Sequence, residues 1–278
     1  MSAAREHALS VNGLAYSLQS WGDDAGTRVL ALHGWLDNSE SFAPLAKHWQ
    51  GVHIVAPDLA GHGRSAHRPL SGSYNIWDDL RELLQIADAL GWQRFSLLGH
   101  SRGAMIAMLL AASMPDRIEK AAFIDGFWPL PQSPEAAPEQ LGRHLHDFNR
   151  VRSEAPLFAC VADAVKARQG DTRLPADLLE PMVRRNLQAA GDGWRWSTDA
   201  RLRYASAFKL SDAHNRAFAK AVQCPNLIVL AEKGMAEYRD MVTAIQALPN
   251  LRMQTMPGDH HLHMTSPAAV VECLEPFF

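Results

Sequence analysis

The sequence predicts an α/β fold in which a mainly parallel central sheet is flanked by helices and carries an inserted helical cap. Three observations predict it. Short apolar, β-rich runs bounded by turn residues recur along the chain, longer amphipathic stretches separate several of them, and one proline-rich stretch breaks the rhythm. Strands that are apolar throughout, rather than alternating, belong to sheets covered on both faces, and such sheets are mainly parallel.

In chain order, HALSVNGLAYSLQSWG (7–22) reads as a hairpin leading into the sheet. The strand-like runs are then VLALHG (29–34), HIVAPDLAG (53–61), FSLLGH (95–100), AAFIDG (121–126), LIVLAE (227–232) and RMQTMPG (252–258). Helical periodicity marks 75–90, 102–113 and 236–248. PLPQSPEAAP (129–138) has four prolines and can continue neither a helix nor a central strand. The chain that follows, to about Leu210, reads as helical and contains Trp194, Trp196 and Tyr204, with no convincing buried strand. Residues 1–128 and 213–278 are therefore expected to form the core, and 129–212 a helical cap.

At 278 residues the chain can bury a sizeable core, and 47% hydrophobic with 21% charged residues is ordinary for a globular protein. A net charge of −3 gives no reason to expect nucleic acid or an anionic membrane as partner. The N-terminal MSAAREHALSVNG has no apolar run of signal-peptide length, and the apolar stretch 104–112 is too short to span a bilayer. Cys160, Cys224 and Cys273 are odd in number and widely spaced, which fits reduced thiols in the cytoplasm better than disulfides or a zinc site. The expected partner is a small-molecule substrate; whether the chain is a monomer or a homodimer is left open.

Chemistry concentrates where strands end. GHSRG (99–103) lies between a buried strand and an apolar helix, with glycines two residues either side of Ser101. This is the G-x-S-x-G pattern, which holds a serine on a tight strand-to-helix turn with its hydroxyl above the sheet. The strand ending in LHGW (32–35) places backbone N–H groups beside that turn, so the N–H groups of Trp35 and of Arg102 are the candidate oxyanion donors. His33 reads as a loop-fixing residue, as do His62 and Arg64 in APDLAGHGRS (56–65), a stretch with no phosphate-cradle pattern. A serine needs an adjacent base. His100 is next to Ser101 in sequence, but neighbours on a strand end face opposite ways. PGDHHLHMTSP (257–267) follows the last strand and offers His260, His261 and His263, of which His260 is preferred.

The HG loop, the G-H-G-x-S loop, the GHSRG turn and the late PGDHHLHM loop together resemble the α/β-hydrolase fold family over nearly the whole chain. HGWLDNSESF (33–42) and PGDHHLHMTSP are similar to the serine hydrolase-like (Kraken-type) branch. The resemblance implies that His260 is the base, with His263 an accessory histidine. It also implies an aspartate shortly after the strand LIVLAE, where AEKGM has Gly234 instead. The acid is therefore open between Asp125 in AAFIDGFWP, a site some haloalkane dehalogenase-like members use, Glu232, and a residue such as Asp240. Ser101 in the nucleophile position argues against the dehalogenase and epoxide hydrolase activities of this fold, which attack with aspartate.

The expected function is hydrolysis of a small or medium carboxylic ester through an acyl-enzyme on Ser101, His260 and an acid, with no cofactor and no metal. Trp35, Phe127 and Trp128 are expected to line the substrate pocket. The rival readings are hydrolysis of a carbon–carbon bond, lactone or thioester on the same residues, or a ligand-binding protein with little turnover, which the Gly234 departure favours.

Overall fold

The computed structural model describes residues 4–149, 155–235, 242, 245 and 250–278. Its core is an eight-stranded sheet. An N-terminal hairpin, β1 (Arg5–Val11) and β2 (Leu14–Gly22), pairs antiparallel and joins the sheet antiparallel to β4 (Val52–Pro57). From there the sheet is parallel, through β3 (Thr27–Leu32), β5 (Phe95–His100), β6 (Ile118–Ile124), β9 (Asn226–Lys233) and β10 (Leu251–Asp259), in the spatial order β1-β2-β4-β3-β5-β6-β9-β10. Every expected strand is present. β5 is buried at all six positions, as a central parallel strand must be.

Two apolar layers enclose the sheet, and the period of two along each strand divides its side chains between them. On β3, Leu30 and Leu32 join the layer containing α2 (Asp78–Ala89) and α3 (Arg102–Ser113). Val29 and Ala31 join the opposite layer, with α1 (Ala43–Ala46) and α9 (Pro267–Leu274). α3 is buried over nearly its whole length because its sequence, RGAMIAMLLAAS, is apolar almost all round. Each fully buried Leu or Ile contributes about 1.5–3 kcal/mol, so this helix and β5 make a stiff frame for the turn between them. The helix expected over 236–248 lies outside the described residues except for Val242 and Ile245.

Between β6 and β9 come α4 (Ala137–Asn149), α5 (Val161–Thr172), α6 (Ala176–Arg185) and α7 (Asp212–Ala221). This segment is not wholly helical. β7 (Leu187–Ala190) and β8 (Gly193–Trp196) form a separate antiparallel hairpin, turned at Gly191, where φ is +56°. Four-residue, half-exposed strands carry too little hydrophobic alternation to be read from sequence. The segment has its own apolar cluster, including Val165, Leu179, Met182 and Val183, and packs it on Met264 of α8 (Leu262–Thr265), just after β10.

Polar anchors tie the segment to the loops at the carboxyl ends of the strands. Arg185 places its guanidinium on the buried carboxylate of Asp58 at 2.9 Å, Asn38 donates to the Met182 carbonyl at 2.8 Å, and Asn186 donates to the Leu36 carbonyl at 3.2 Å.

Candidate active site

Ser101 sits between β5 and α3 with φ +52° and ψ −118°. A non-glycine residue held there costs about 1–3 kcal/mol and persists only where the surroundings over-determine it. Here they do. The Ser101 N–H donates to the Ile124 carbonyl at 3.0 Å. A Cβ on Gly99 would collide with the Ala104 backbone, and one on Gly103 with the Leu32 carbonyl, so only glycine lets the helix approach the strand ends this closely.

Three side chains converge. His260 Nε2 lies 2.9 Å from Ser101 Oγ, and His260 Nδ1 lies 2.6 Å from Asp125 Oδ2. A carboxylate can only accept, so Nδ1 carries the proton and Nε2 presents its lone pair to the serine hydroxyl. Asp125 follows β6 with φ +40°, is buried, and accepts from two backbone N–H groups: Ala231 at 3.0 Å and Met235 at 3.1 Å.

That arrangement accounts for Gly234. A Cβ built on Gly234 would overlap the Asp125 carboxylate. The space after β9 is filled from β6, and the glycine is the residue that leaves room for it. Glu232 is exposed at the end of β9, and the structure does not bring it to His260. Asp240 lies outside the described residues.

His100 faces away from Ser101, as strand alternation requires. Its Nε2–H donates to the His260 carbonyl at 2.9 Å, so it fixes the backbone of the histidine loop. Its ring packs 4.1 Å from that of His263 and 5.0 Å from that of His261. His261 Nε2 is 3.4 Å from Asp37 Oδ2, and Arg168 of α5 donates to Asp37 Oδ1 at 3.0 Å. Burial works to raise the Asp37 carboxyl, but His261 and Arg168 outweigh it and hold it well below the usual range. His263 is wholly buried with neither ring nitrogen bonded, and desolvation pushes it down to about 3.

The remaining loop residues hold the frame. His33 accepts from the Leu59 N–H at 2.9 Å and donates through Nδ1 to the Gly34 carbonyl at 2.8 Å; burial keeps it neutral. His62 is buried against it, with ring centroids 4.9 Å apart, and is likewise pushed down by burial. Arg64 is exposed and contributes its backbone N–H to Asp58 at 2.9 Å. Asp37, Asp58, Arg168 and Arg185 went unmarked in the sequence, because the ion pairs Asp37–Arg168 and Asp58–Arg185 each span more than a hundred residues and no spacing reveals them.

A cavity of about 390 Å³ opens beside the site, lined by Trp35, Tyr74, Arg102, Met105 and Phe148 among others. Trp35 is half-exposed and donates through Nε1 to the Leu202 carbonyl at 2.9 Å. The Arg102 side chain turns to Asp79 at 2.8 Å, while its N–H, as the first of α3, has no partner within the helix. Phe127 and Trp128 were expected on the pocket wall, but the structure puts them in the core. They are almost fully buried, Phe127 lies edge-on to Phe123 at 5.0 Å, and neither lines the cavity. The sequence FWP shows aromatic bulk near the site but not which way it turns.

The chain is similar to known proteins. Residues 27–267 match the alpha/beta hydrolase fold family, and the chain belongs to it. Within the family it stands close to the serine hydrolase-like branch. It is 27% identical to a serine hydrolase-like protein of Dictyostelium discoideum over 92% of this chain and 76% of that one. It is 26% identical to the human serine hydrolase-like protein 2 over 93% and 89% of the two chains. Among solved structures, a hypothetical protein from Pseudomonas aeruginosa PAO1 is 40% identical, with a TM-score of 0.93 over 98% of this chain and 99% of that one. The thioesterase domain from the curacin biosynthetic pathway is 27% identical, with a TM-score of 0.86 over 99% and 100%. Among the described residues no helix is long and apolar enough to cross a membrane.

Proposed function

We propose that this hydrolase cleaves carboxylic esters of small or medium size through an acyl-enzyme on Ser101. The single observation that carries the reading is the hydrogen-bonded line from Ser101 Oγ through His260 to Asp125, on a serine held in a strained turn. Ser101 Oγ attacks the acyl carbon while its proton passes to His260 Nε2, and Asp125 stabilises the imidazolium that forms. The oxyanion of the tetrahedral intermediate is held by the N–H groups of Trp35 and Arg102. His260 then returns the proton to the leaving alcohol, the C–O bond breaks, and the acyl group stays on Ser101. Water, deprotonated by the same histidine, attacks the acyl carbon; the acid leaves and Ser101 recovers its proton.

Residues 129–212 act in this reading as the cap, which supplies part of the cavity wall through Phe148 and Leu202. The reaction needs no cofactor. A cytoplasmic setting is supported by three free thiols, one of them exposed at Cys160. Thioesters share the same acyl chemistry, and the likeness to a thioesterase domain supports keeping them within the substrate class.

The test is intact-mass labelling with a fluorophosphonate probe. Wild type should gain one adduct and Ser101→Ala none. A folded wild-type protein that takes no label would sink the proposal.

A further inference from the structure

The cavity beside Ser101 has an uneven charge. Its lining includes Arg102, Arg201, Arg203 and Lys209, and no aspartate or glutamate among the described residues. Two of the four cations are already answered. Arg102 pairs with Asp79 at 2.8 Å, and Arg201 pairs with Asp199 at 2.7 Å while donating to backbone carbonyls of 68–72. The other two are not. Arg203 and Lys209 are exposed and have no carboxylate partner among the described residues. Arg203 also borders a second cavity, of about 400 Å³, whose wall carries Asp171 and Asp199. Both of those carboxylates are paired elsewhere, with Arg168 and Arg201.

Arg203 is held against Trp35 in the wall that also carries Arg102, the residue after Ser101. Its guanidinium lies over the indole of Trp35, 5.4 Å from the ring centroid, and that indole is anchored to the Leu202 carbonyl at 2.9 Å. Trp35 therefore carries a cation on its face, and in the proposed mechanism its own N–H is one of the two oxyanion donors. Much of the rest of the wall is apolar or aromatic, with Trp77, Met105, Phe148 and Phe208, beside the polar Ser73, Asn75, His144 and Ser206. A low-dielectric wall with cations of one sign focuses the field and raises the local concentration of anions.

We infer that the substrate is an ester or thioester carrying a second, anionic group, which Arg203 and Lys209 bind while the aromatic wall takes its hydrocarbon part. This deepens the reading of Ser101 as an acylating nucleophile and rests on it. The anion can lie on the acyl group, as in the half-ester of a dicarboxylic acid, or on the leaving group, as in a thioester of a phosphorylated carrier. The shared chemistry is an acyl compound with a fixed negative charge.

The experiment separates binding from turnover. Ser101→Ala is titrated by calorimetry with monomethyl glutarate and with dimethyl glutarate, which are nearly equal in size and differ in charge. The same protein is titrated with butyryl-coenzyme A and with the neutral N-acetylcysteamine thioester of butyrate. The charged member of at least one pair should bind roughly tenfold tighter, and adding Arg203→Ala or Lys209→Ala should reduce that discrimination by roughly three- to tenfold. Which pair discriminates tells which end of the substrate carries the charge. Equal binding within both pairs, or discrimination that survives both substitutions, overturns the inference. The readout needs no catalysis, so absence of fluorophosphonate labelling would count against the nucleophile and leave this result to be judged by itself.

Discussion

One loop carries two histidine–carboxylate pairs, and their difference separates chemistry from architecture. His260 meets Asp125 at 2.6 Å; His261, the next residue, meets Asp37 at 3.4 Å. Both carboxylates are buried. Asp125 is held by two backbone N–H groups and, among the described residues, pairs with no cation other than the histidine, so there a proton arriving on His260 supplies the counter-charge. Asp37 already has a fixed cation in Arg168 at 3.0 Å. The other nitrogens differ too: His260 presents Nε2 to Ser101, whereas among the described residues no hydroxyl or thiol bonds to the His261 ring. In the proposed mechanism the first pair exchanges a proton, and the second ties α5 of the segment between β6 and β9 to the histidine loop. Residue type does not distinguish them; the second partner of each carboxylate does.

Breaking the first pair should have the largest effect. Asp125→Asn keeps the shape but offers its amide or a neutral carbonyl to His260, and loses the charge that stabilises the imidazolium. Turnover of an ester such as p-nitrophenyl butyrate should fall by about 10⁴-fold, with KM little changed. A sharper version moves the acid. Asp125→Gly with Gly234→Asp vacates the space that the Gly234 Cβ would share and supplies a carboxylate after β9. That double variant should recover at least tenfold over Asp125→Gly alone. Gly234→Asp by itself should destabilise the protein, because the new side chain overlaps the buried Asp125. If Asp125→Asn retains near wild-type turnover, Asp125 is not the acid.

Breaking the second pair should cost stability more than chemistry. Arg168→Met leaves the Asp37 carboxylate buried without its fixed cation, and removing one partner of such a pair costs about 3–5 kcal/mol. Urea unfolding reads this as a lower midpoint at unchanged slope. Fluorophosphonate labelling at 10 °C, where the variant is folded, should still go to completion at Ser101. A variant with wild-type stability but no labelling would reverse the assignment and give Asp37 the chemical role.

The two pairs were not equally legible in the sequence. The strands, the turn at Ser101 and the histidine loop could be read because each is local: a run of apolar residues, glycines two positions either side of a serine, a histidine cluster after the last strand. Asp125 was open among alternatives because its role depends on Gly234, 109 residues downstream and next to it in space. Asp37 lay inside a quoted motif, yet its link to Arg168 crosses 131 residues and follows no period. Phe127 and Trp128 show the same limit in another form, since burial of an aromatic pair at a strand end is decided by the packing of Phe123 and α7, not by the pair itself. The β7–β8 hairpin was missed because four-residue strands on an exposed segment do not reach the hydrophobic signal that marked the central sheet.

The smallest expected effect sharpens the comparison by pH. His263 lies beneath both pairs, 4.1 Å from the His100 ring and tilted against Phe42, and burial pushes it down to about 3 from an unfolded value near 6.5. Between those values the unfolded chain binds a proton that the native one does not. Stability from this residue is therefore fully present above pH 6.5 and is lost as pH falls toward 3. The limiting slope is about 1.4 kcal/mol per pH unit for one histidine. His263→Leu removes the titration but leaves the buried His33, His62 and His100, which are shifted the same way. Urea midpoints at pH 7.5 and 5.0 should therefore converge partly in the variant, by about 1–2 kcal/mol relative to wild type. A pH dependence identical to wild type would mean that His263 is protonated or solvated in the native state, and that the packing beneath the histidine loop is looser than the structure describes.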